Sequence, residues 1–342
     1  MSASRMSWAL LVVPFAACGA GTAQPTSAPP ASSAATVSWT QPGVSVGPTT
    51  RDGSDVASTP TGVVLFGGEK RAFAGTYLDD TWTYSSGSWT RLTLSAHPPA
   101  LIEGGFAYDP LTNTTLLFGG GDGGGRCTSA TWSFSNGRWQ QQREPSAPPA
   151  RYVGGMSYSP VNKGILMFGG AEAGSVAPFL VNDTWLWTPR GWRRLHSATS
   201  PPAAPVDGMA ADPATGQVVM LTGIDATGAT TPGSGETWVW SGANWKRETS
   251  APKPAARFGS AMTYDAAIRE VVMFGGDYRP GSPGGSLNDV WGWTGSVWER
   301  LTEVNAPPVE VFAGFAYSTS SKRLLLLQAD ASANSSTWLG KS

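Results

Sequence analysis

The sequence predicts an all-β fold, a six-bladed β-propeller whose last blade is completed by the N-terminal strand. Three observations carry that prediction. Two tryptophans seven residues apart recur five times, at Trp82/Trp89, Trp132/Trp139, Trp185/Trp192, Trp238/Trp245 and Trp291/Trp298. The second members follow one another at 50, 53, 53 and 53 residues, a period that suits one four-stranded blade. Composition agrees: 43 Gly, 27 Pro and 16 Trp with only 14% charged residues describe a turn-rich, aromatic chain without the Glu/Lys/Leu bias of helices.

Taken in chain order, the first element is an export signal. Arg5 precedes a compact apolar run from Trp8 to Ala17, too short to span a bilayer. The run ends in Phe15-Ala16-Ala17-Cys18, which resembles a bacterial lipobox, with Phe15 where that motif has Leu. The resemblance implies a lipid anchor on Cys18, the alternative being ordinary signal cleavage after Gly21-Thr22-Ala23. Residues 19–36 are Gly, Ala, Ser, Thr and Pro apart from Gln24, a composition that buries too little apolar surface to fold. Fully stretched, such a spacer reaches about 60 Å. The chain thus divides into a signal (1–18), a tether (19–36) and one domain (37–342). A lipidated Cys18 leaves Cys127 without a disulfide partner, so the domain relies on its core.

Each repeat reads as four strands. The first is a small-residue strand such as Gly259-Ser-Ala-Met-Thr-Tyr264, followed by a turn built on Asp109-Pro110, Ser159-Pro160 or Asp212-Pro213. The second is a continuous apolar run, expected where both faces are buried, and it ends in a diglycine: Gly67-Gly68, Gly119-Gly120, Gly169-Gly170 and Gly275-Gly276. A long loop leads to the third strand, where Trp291 and Trp293 share a face, and a short turn leads to the fourth, such as Val297-Trp-Glu-Arg-Leu301. A sixth copy begins at Val309, carries Gln328-Ala329 in place of the diglycine, and stops four residues after Trp338, one strand short. Val37-Ser-Trp39-Thr40 matches Ser88-Trp89-Thr90 and supplies that strand, which removes an open edge.

The diglycine, the aromatic third strand and the spaced tryptophans resemble the kelch repeat, and the match covers residues 37–342. The resemblance implies a galactose oxidase/kelch-type propeller with its tryptophans wedged between blades. Loops from second to third strand then share one rim with the connections between blades. In this chain both sets are long, so that rim and the channel mouth beneath it are the expected place for binding.

Alignment of the repeats puts Arg51, Arg151, Arg257 and Glu310 at one position, with Glu103, Asp207 and Asp55 a few residues further in. These are the candidate ligand-binding residues. Arginines and carboxylates converging on a channel suit an acidic sugar or a peptide terminus. The competing reading gives the arginines to bridging between blades. The expected ligand is an envelope protein, a peptide or a glycan, bound by a monomer that touches a membrane only through its anchor. Bacterial kelch propellers include sialic-acid mutarotases, and likeness to them would make Glu103 or Glu310 a general acid/base.

Other chemistry finds little support. The net charge is −1 and no Lys/Arg-rich run exists to track a phosphate backbone, so nucleic acid is not an expected partner. His97, His196 and Cys127 have no metal-ligand spacing, and the two-His, two-Tyr, Cys–Tyr copper set of galactose oxidase does not map onto the chain. No cofactor is expected. There is no Gly-x-Ser-x-Gly elbow and no His-Glu-x-x-His, and Gly121–Gly125 reads as a flexible loop rather than a phosphate cradle.

Overall fold

The computed structural model describes residues 35–43, 47–70, 75–122, 126–152, 154–172, 179–224, 230, 233–278, 285–309, 311–329 and 335–342. The signal segment with Cys18, most of the tether, Glu310 and parts of the long loops lie outside them. The described chain is all-β with no helices, arranged as small antiparallel sheets compatible with a propeller.

Five sheets have four strands each in simple meander order. The first comprises Asp55–Thr59, Gly62–Phe66, Thr81–Ser85 and Ser88–Leu92. The second comprises Gly105–Asp109, Thr114–Phe118, Thr131–Ser135 and Arg138–Gln142. The third comprises Gly155–Ser159, Gly164–Phe168, Thr184–Thr188 and Gly191–Leu195. The fourth comprises Val206–Asp212, Gln217–Thr222, Thr237–Trp240 and Trp245–Glu248. The fifth comprises Ala261–Asp265, Glu270–Asp277, Ser286–Trp293 and Trp298–Arg300.

The sixth sheet joins the two ends of the chain. Gly314–Ser318, Arg323–Ala329 and Ser335–Lys341 are followed in space by Thr36–Thr40, which pairs antiparallel with the last of them, Trp39 opposite Gly340. A fifth strand, Thr302–Val304, then pairs parallel with the other side of Thr36–Thr40. The sequence pattern did not anticipate that strand. It fixes the N-terminal segment along both of its edges. First strands neighbour one another in chain order, and Gly314–Ser318 also neighbours Asp55–Thr59.

The core lies between the sheets. Six apolar clusters each draw on two adjoining sheets, such as Leu166, Phe168, Val218, Met220, Trp240 and Trp245 between the third and fourth. One aromatic contact repeats. The fourth-strand Trp meets the second-strand Phe of the preceding sheet edge to face, at 5.2 Å for Phe66–Trp139, Phe118–Trp192 and Phe168–Trp245. Such pairs prefer this geometry because the positive ring edge meets the negative face.

The same tryptophans carry a second device. Each indole N–H donates to the threonine that opens the third strand of the preceding sheet: Trp139 to Thr81 at 2.9 Å, Trp192 to Thr131 and Trp245 to Thr184 at 3.0 Å, Trp298 to Thr237 at 2.9 Å. Trp89 donates to Thr337 of the sixth sheet at 3.0 Å. In the fifth sheet that position is Val290, which has no acceptor, and Trp39 turns instead to Glu303 at 3.1 Å. A buried indole N–H needs a partner. The ring finds a substitute where the repeat fails.

The diglycines do what their position suggests. Gly119 adopts φ +73°, and a Cβ there would stand 2.4 Å from the Arg151 carbonyl of the next sheet, so no larger residue fits. Gln328, which replaces the first glycine in the sixth sheet, is buried and donates to the Pro308 carbonyl at 2.8 Å. The Asp turns form as expected: the Asp109 side chain accepts from the Leu111 amide, and Asp212 from Ala214, both at 2.9 Å.

Candidate functional site

The three arginines are buried and turned into the protein. Arg151 donates through Nη1 and Nη2 to both oxygens of Asp183, at 2.6 and 3.1 Å. Its other donors reach Gly169 O at 2.9 Å, Pro149 O at 3.1 Å and Glu172 Oε1 at 3.0 Å. A guanidinium has five N–H groups, and all five are engaged. Arg51 is likewise complete: Asp80 twice, at 2.6 and 3.0 Å, Gly67 O at 2.9 Å, and Thr49 through its carbonyl and its hydroxyl. Arg257 repeats the pattern with Asp289, Gly275 O and Ala255 O.

Each of these aspartates also accepts the third-strand indole, Asp80 from Trp82, Asp183 from Trp185 and Asp289 from Trp291. Burial opposes ionisation of Asp80 and Asp183, but the arginine and tryptophan donors outweigh it and hold both carboxyls below their ordinary value. From the sequence these arginines stand open between holding a ligand and bridging blades. The geometry makes them clamps that tie the lead-in of a sheet to its diglycine and its third strand. The aspartate partners escaped the sequence reading, although Arg151–Asp183 and Arg257–Asp289 share one separation of 32 residues.

The second sheet confirms the pairing by omission. Leu101 takes the arginine place, its carbonyl accepting from Gly68 N as that of Arg151 accepts from Gly120 N, both at 2.9 Å. Ala130 takes the aspartate place. Arginine and aspartate are lost together, and the Trp132 indole N–H is left without an acceptor.

The carboxylates behave differently. A cavity of about 230 Å³ is lined by the first strands of all six sheets and the residues leading into them. Its charged lining residues are Asp55, Glu103 and Asp207, with no Arg, Lys or His among the described residues. Phe106, Phe258, Phe312, Phe315 and the methionines Met156, Met209 and Met262 supply apolar wall. Phe258 and Phe312 pack edge to face at 4.9 Å.

Two of the acids depart from the repeat. Strand register makes Asp55 the counterpart of Gly105, Gly155, Gly208, Ala261 and Gly314, since each pairs with the residue before the glycines or its equivalent. Where five sheets have Gly or Ala, the first places a carboxyl that is only 6% exposed and whose Oδ2 has no hydrogen-bond partner. Glu103 lies two residues after Leu101, at the position of Gly53 and Gly259. All three are left-handed, with φ +61° at Gly53, +69° at Gly259 and +53° at Glu103. Phe312 occupies the same place in the sixth sheet at φ +58°, and its amide bonds to Gly259 O as that of Glu103 bonds to Gly53 O. A left-handed residue with a side chain costs about 1–2 kcal/mol. Such strain gathers at functional sites.

Asp207 is engaged within the protein, accepting from the Ser260 amide at 3.0 Å and from its hydroxyl. Burial pushes its carboxyl up to about 6, against the Ser260 hydrogen bonds and the Arg257 charge. Burial raises Asp55 well above the ordinary value, the Gly104 amide works against it, and the Glu103 charge adds to the rise. Glu103 is pushed up to about 7 by burial and then by Glu69. Tyr152, near Glu103 and Cys127, rises to about 12, chiefly through burial. Among the described residues, no cation acts on Asp55, Glu103 or Tyr152.

The chain matches no family model and no curated protein sequence. The site therefore rests on its own geometry.

The remaining sequence candidates fall elsewhere. His196 is exposed, and exposed His97 faces the Pro98 carbonyl at 2.9 Å with Asp79 at 3.9 Å. Among the described residues no three His, Cys, Asp or Glu side chains are grouped to hold a metal ion. Glu310 and Cys18 lie outside the described residues. Phe258 and Phe312 were missed by the sequence reading. For Phe312 the available signal was a phenylalanine at a place that is glycine at Gly53 and Gly259; Phe258 carries no such mark.

Proposed function

We propose that the chain is an exported, lipid-anchored kelch-type propeller of six blades that serves as a non-catalytic binding module, taking its ligand at the mouth of the central cavity. The repeat, the pairing of Thr36–Thr40 with Ser335–Lys341, and the neighbouring of the first and sixth sheets support the closed ring. The apolar run ending in Cys18 supports export and anchoring. One observation carries the binding reading. Asp55, Glu103, Asp207 and Phe312, which put carboxyls and a ring at the first strands and their lead-ins, all line one cavity. At the Asp55 place the other five sheets carry Gly or Ala, so a carboxyl there points to a use other than folding.

The enzymatic alternative, a mutarotase-like site, draws some support from the Glu103 carboxyl near 7. It also needs arginines to hold an acidic sugar, and those are engaged with Asp80, Asp183 and Asp289. The binding reading is the better supported.

The test uses the full chain in detergent on glycan and peptide arrays, beside Asp55→Gly and Glu103→Gly variants. These replacements restore the residue the repeat uses elsewhere. They are expected to keep or raise the melting temperature while abolishing array signals. Arrays negative for every ligand class, or signals unchanged in both variants, refute the reading. Labelled fatty acid that incorporates equally into Cys18→Ala refutes the anchor.

A further inference from the structure

The cavity differs from what the arginines promised. Its charged lining is wholly acidic among the described residues, and the acids are short of donors. Asp55 Oδ2 is buried with no partner. No hydrogen bond or ion pair of the Glu103 carboxyl occurs among the described residues; Glu103 feels Glu69, and Asp55 feels Glu103. Residues 53–55 and 103–104 adjoin at the junction of the first and second sheets. A Cβ on Gly104 would stand 3.0 Å from Asp55 Oδ2, and one on Gly53 would stand 3.2 Å from Glu103 Cγ. A buried acceptor without a donor, as Asp55 Oδ2 is, is costly to keep unless something supplies the donor, and half-buried Glu103 stands beside it at the cavity wall.

Two features narrow what that is. No cluster of three potential metal ligands exists among the described residues, which turns the reading from a metal ion to an organic cation. The remaining wall includes aromatic and thioether side chains, among them Phe106, Phe258, Phe312 and Met262. Aromatic faces and polarizable sulfur suit the methylene groups next to an ammonium, and an aromatic face attracts the cation itself.

We propose that this cavity binds a primary ammonium group on an aliphatic stem, the ammonium held by Asp55 and Glu103 and the stem lying against the phenylalanines and Met262. The proposal rests on the binding-module reading and specifies its ligand class. A free diamine and a lysine side chain of a peptide both present this chemistry. The carboxyls must ionise to serve it. The groups that face Glu103 are Asp55, Glu69, Tyr77 and Tyr152, and those that face Asp55 are Glu103 and the Gly104 amide. Among the described residues all the ionisable ones are acidic, so burial and like charge favour protonated carboxyls, and an ammonium that binds them displaces protons.

The experiment is titration calorimetry of the detergent-solubilised full chain with cadaverine, with a blocked Gly-Lys-Gly peptide, and with 1,5-pentanediol, glutarate and calcium as counterparts. Cadaverine or the peptide should bind and the counterparts should not, the stronger of the two amines identifying the source. Asp55→Gly and Glu103→Gly should each weaken binding by roughly tenfold to a hundredfold. The binding enthalpy should vary with the ionisation enthalpy of the buffer, because protons leave. Binding of glutarate, of pentanediol or of calcium in preference to the amines, with the same dependence on Asp55, overturns the ammonium assignment and leaves the binding module standing. Amine binding indifferent to both substitutions also overturns the assignment. A chain that binds none of these probes, and nothing on the arrays, loses both readings.

Discussion

Replacing Arg151 by Leu tests whether the arginines are clamps or ligand donors. The Arg151 side chain is 1% exposed and that of Asp183 9%, so the substitution leaves a carboxylate buried without its bidentate partner. It also strands the Gly169 and Pro149 carbonyls. Breaking one side of such a pair costs about 3–5 kcal/mol. Asp183→Ala alone leaves the buried guanidinium only the partly exposed Glu172 carboxylate and should cost a similar amount. The double variant Arg151→Leu/Asp183→Ala installs what the second sheet already carries as Leu101 and Ala130, where Leu101 is only 2% exposed. Its residual cost is the Trp185 indole, which loses an acceptor at 2.6 Å. That amounts to about 1–3 kcal/mol. The double variant should therefore be more stable than either single, with a coupling energy of at least about 3 kcal/mol. Urea unfolding of the four proteins, followed by tryptophan fluorescence, measures it. A double variant that loses the sum of the two singles refutes the clamp. An Arg151→Leu protein within about 1 kcal/mol of the parent would return the arginine to the ligand.

Three further outcomes follow from the same structure. Thr337→Val removes the acceptor of the buried Trp89 indole and should lower stability by about 1–3 kcal/mol; Thr184→Val should do the same through Trp245, and near-neutral effects at both would deny the indole bonds a role. Trp39 is 1% exposed in a strand held on both edges, so Trp39→Ala should cost about 3–5 kcal/mol, and deletion of residues 35–43 should lower the single melting transition of the whole domain. Stability should also peak at mildly acidic pH. Asp80 and Asp183, held below their ordinary 3.8, contribute stability above it and lose that contribution as pH falls through their depressed values. Asp207 at about 6, and Glu103 and Glu303 at about 7, work the other way: what they contribute is complete below their ordinary values and is lost as pH rises through 6 and 7. Melting curves between about pH 3 and pH 8 should show the decline toward neutrality, smaller in Glu103→Gln. A curve flat above about pH 5 would contradict it.

The repeat was legible because each copy solves the same local problem. The Trp pairs, the diglycines and the Asp turns recur at fixed spacing since the sheets reuse one inter-sheet packing, Phe against Trp in several of them, and similar turns. Val37–Thr40 was readable as a displaced strand by its likeness to Ser88–Thr90, and it pairs with the sixth sheet. Thr302–Val304 left no mark on the pattern, because a single parallel edge strand has no counterpart in the other five copies.

What the sequence determined by itself was the all-β repeat and the positions where charge enters it. It did not determine what those charges do. Arg51 and Glu103 read alike as polar residues near the head of a first strand. The guanidinium, though, is consumed by Asp80, 29 residues away. The carboxyl of Glu103 instead faces the cavity that the six first strands line. Only the tertiary structure decided between them, because a donor's availability depends on whether the folded neighbours satisfy it, and those neighbours are brought in from sequence separations that no local pattern records.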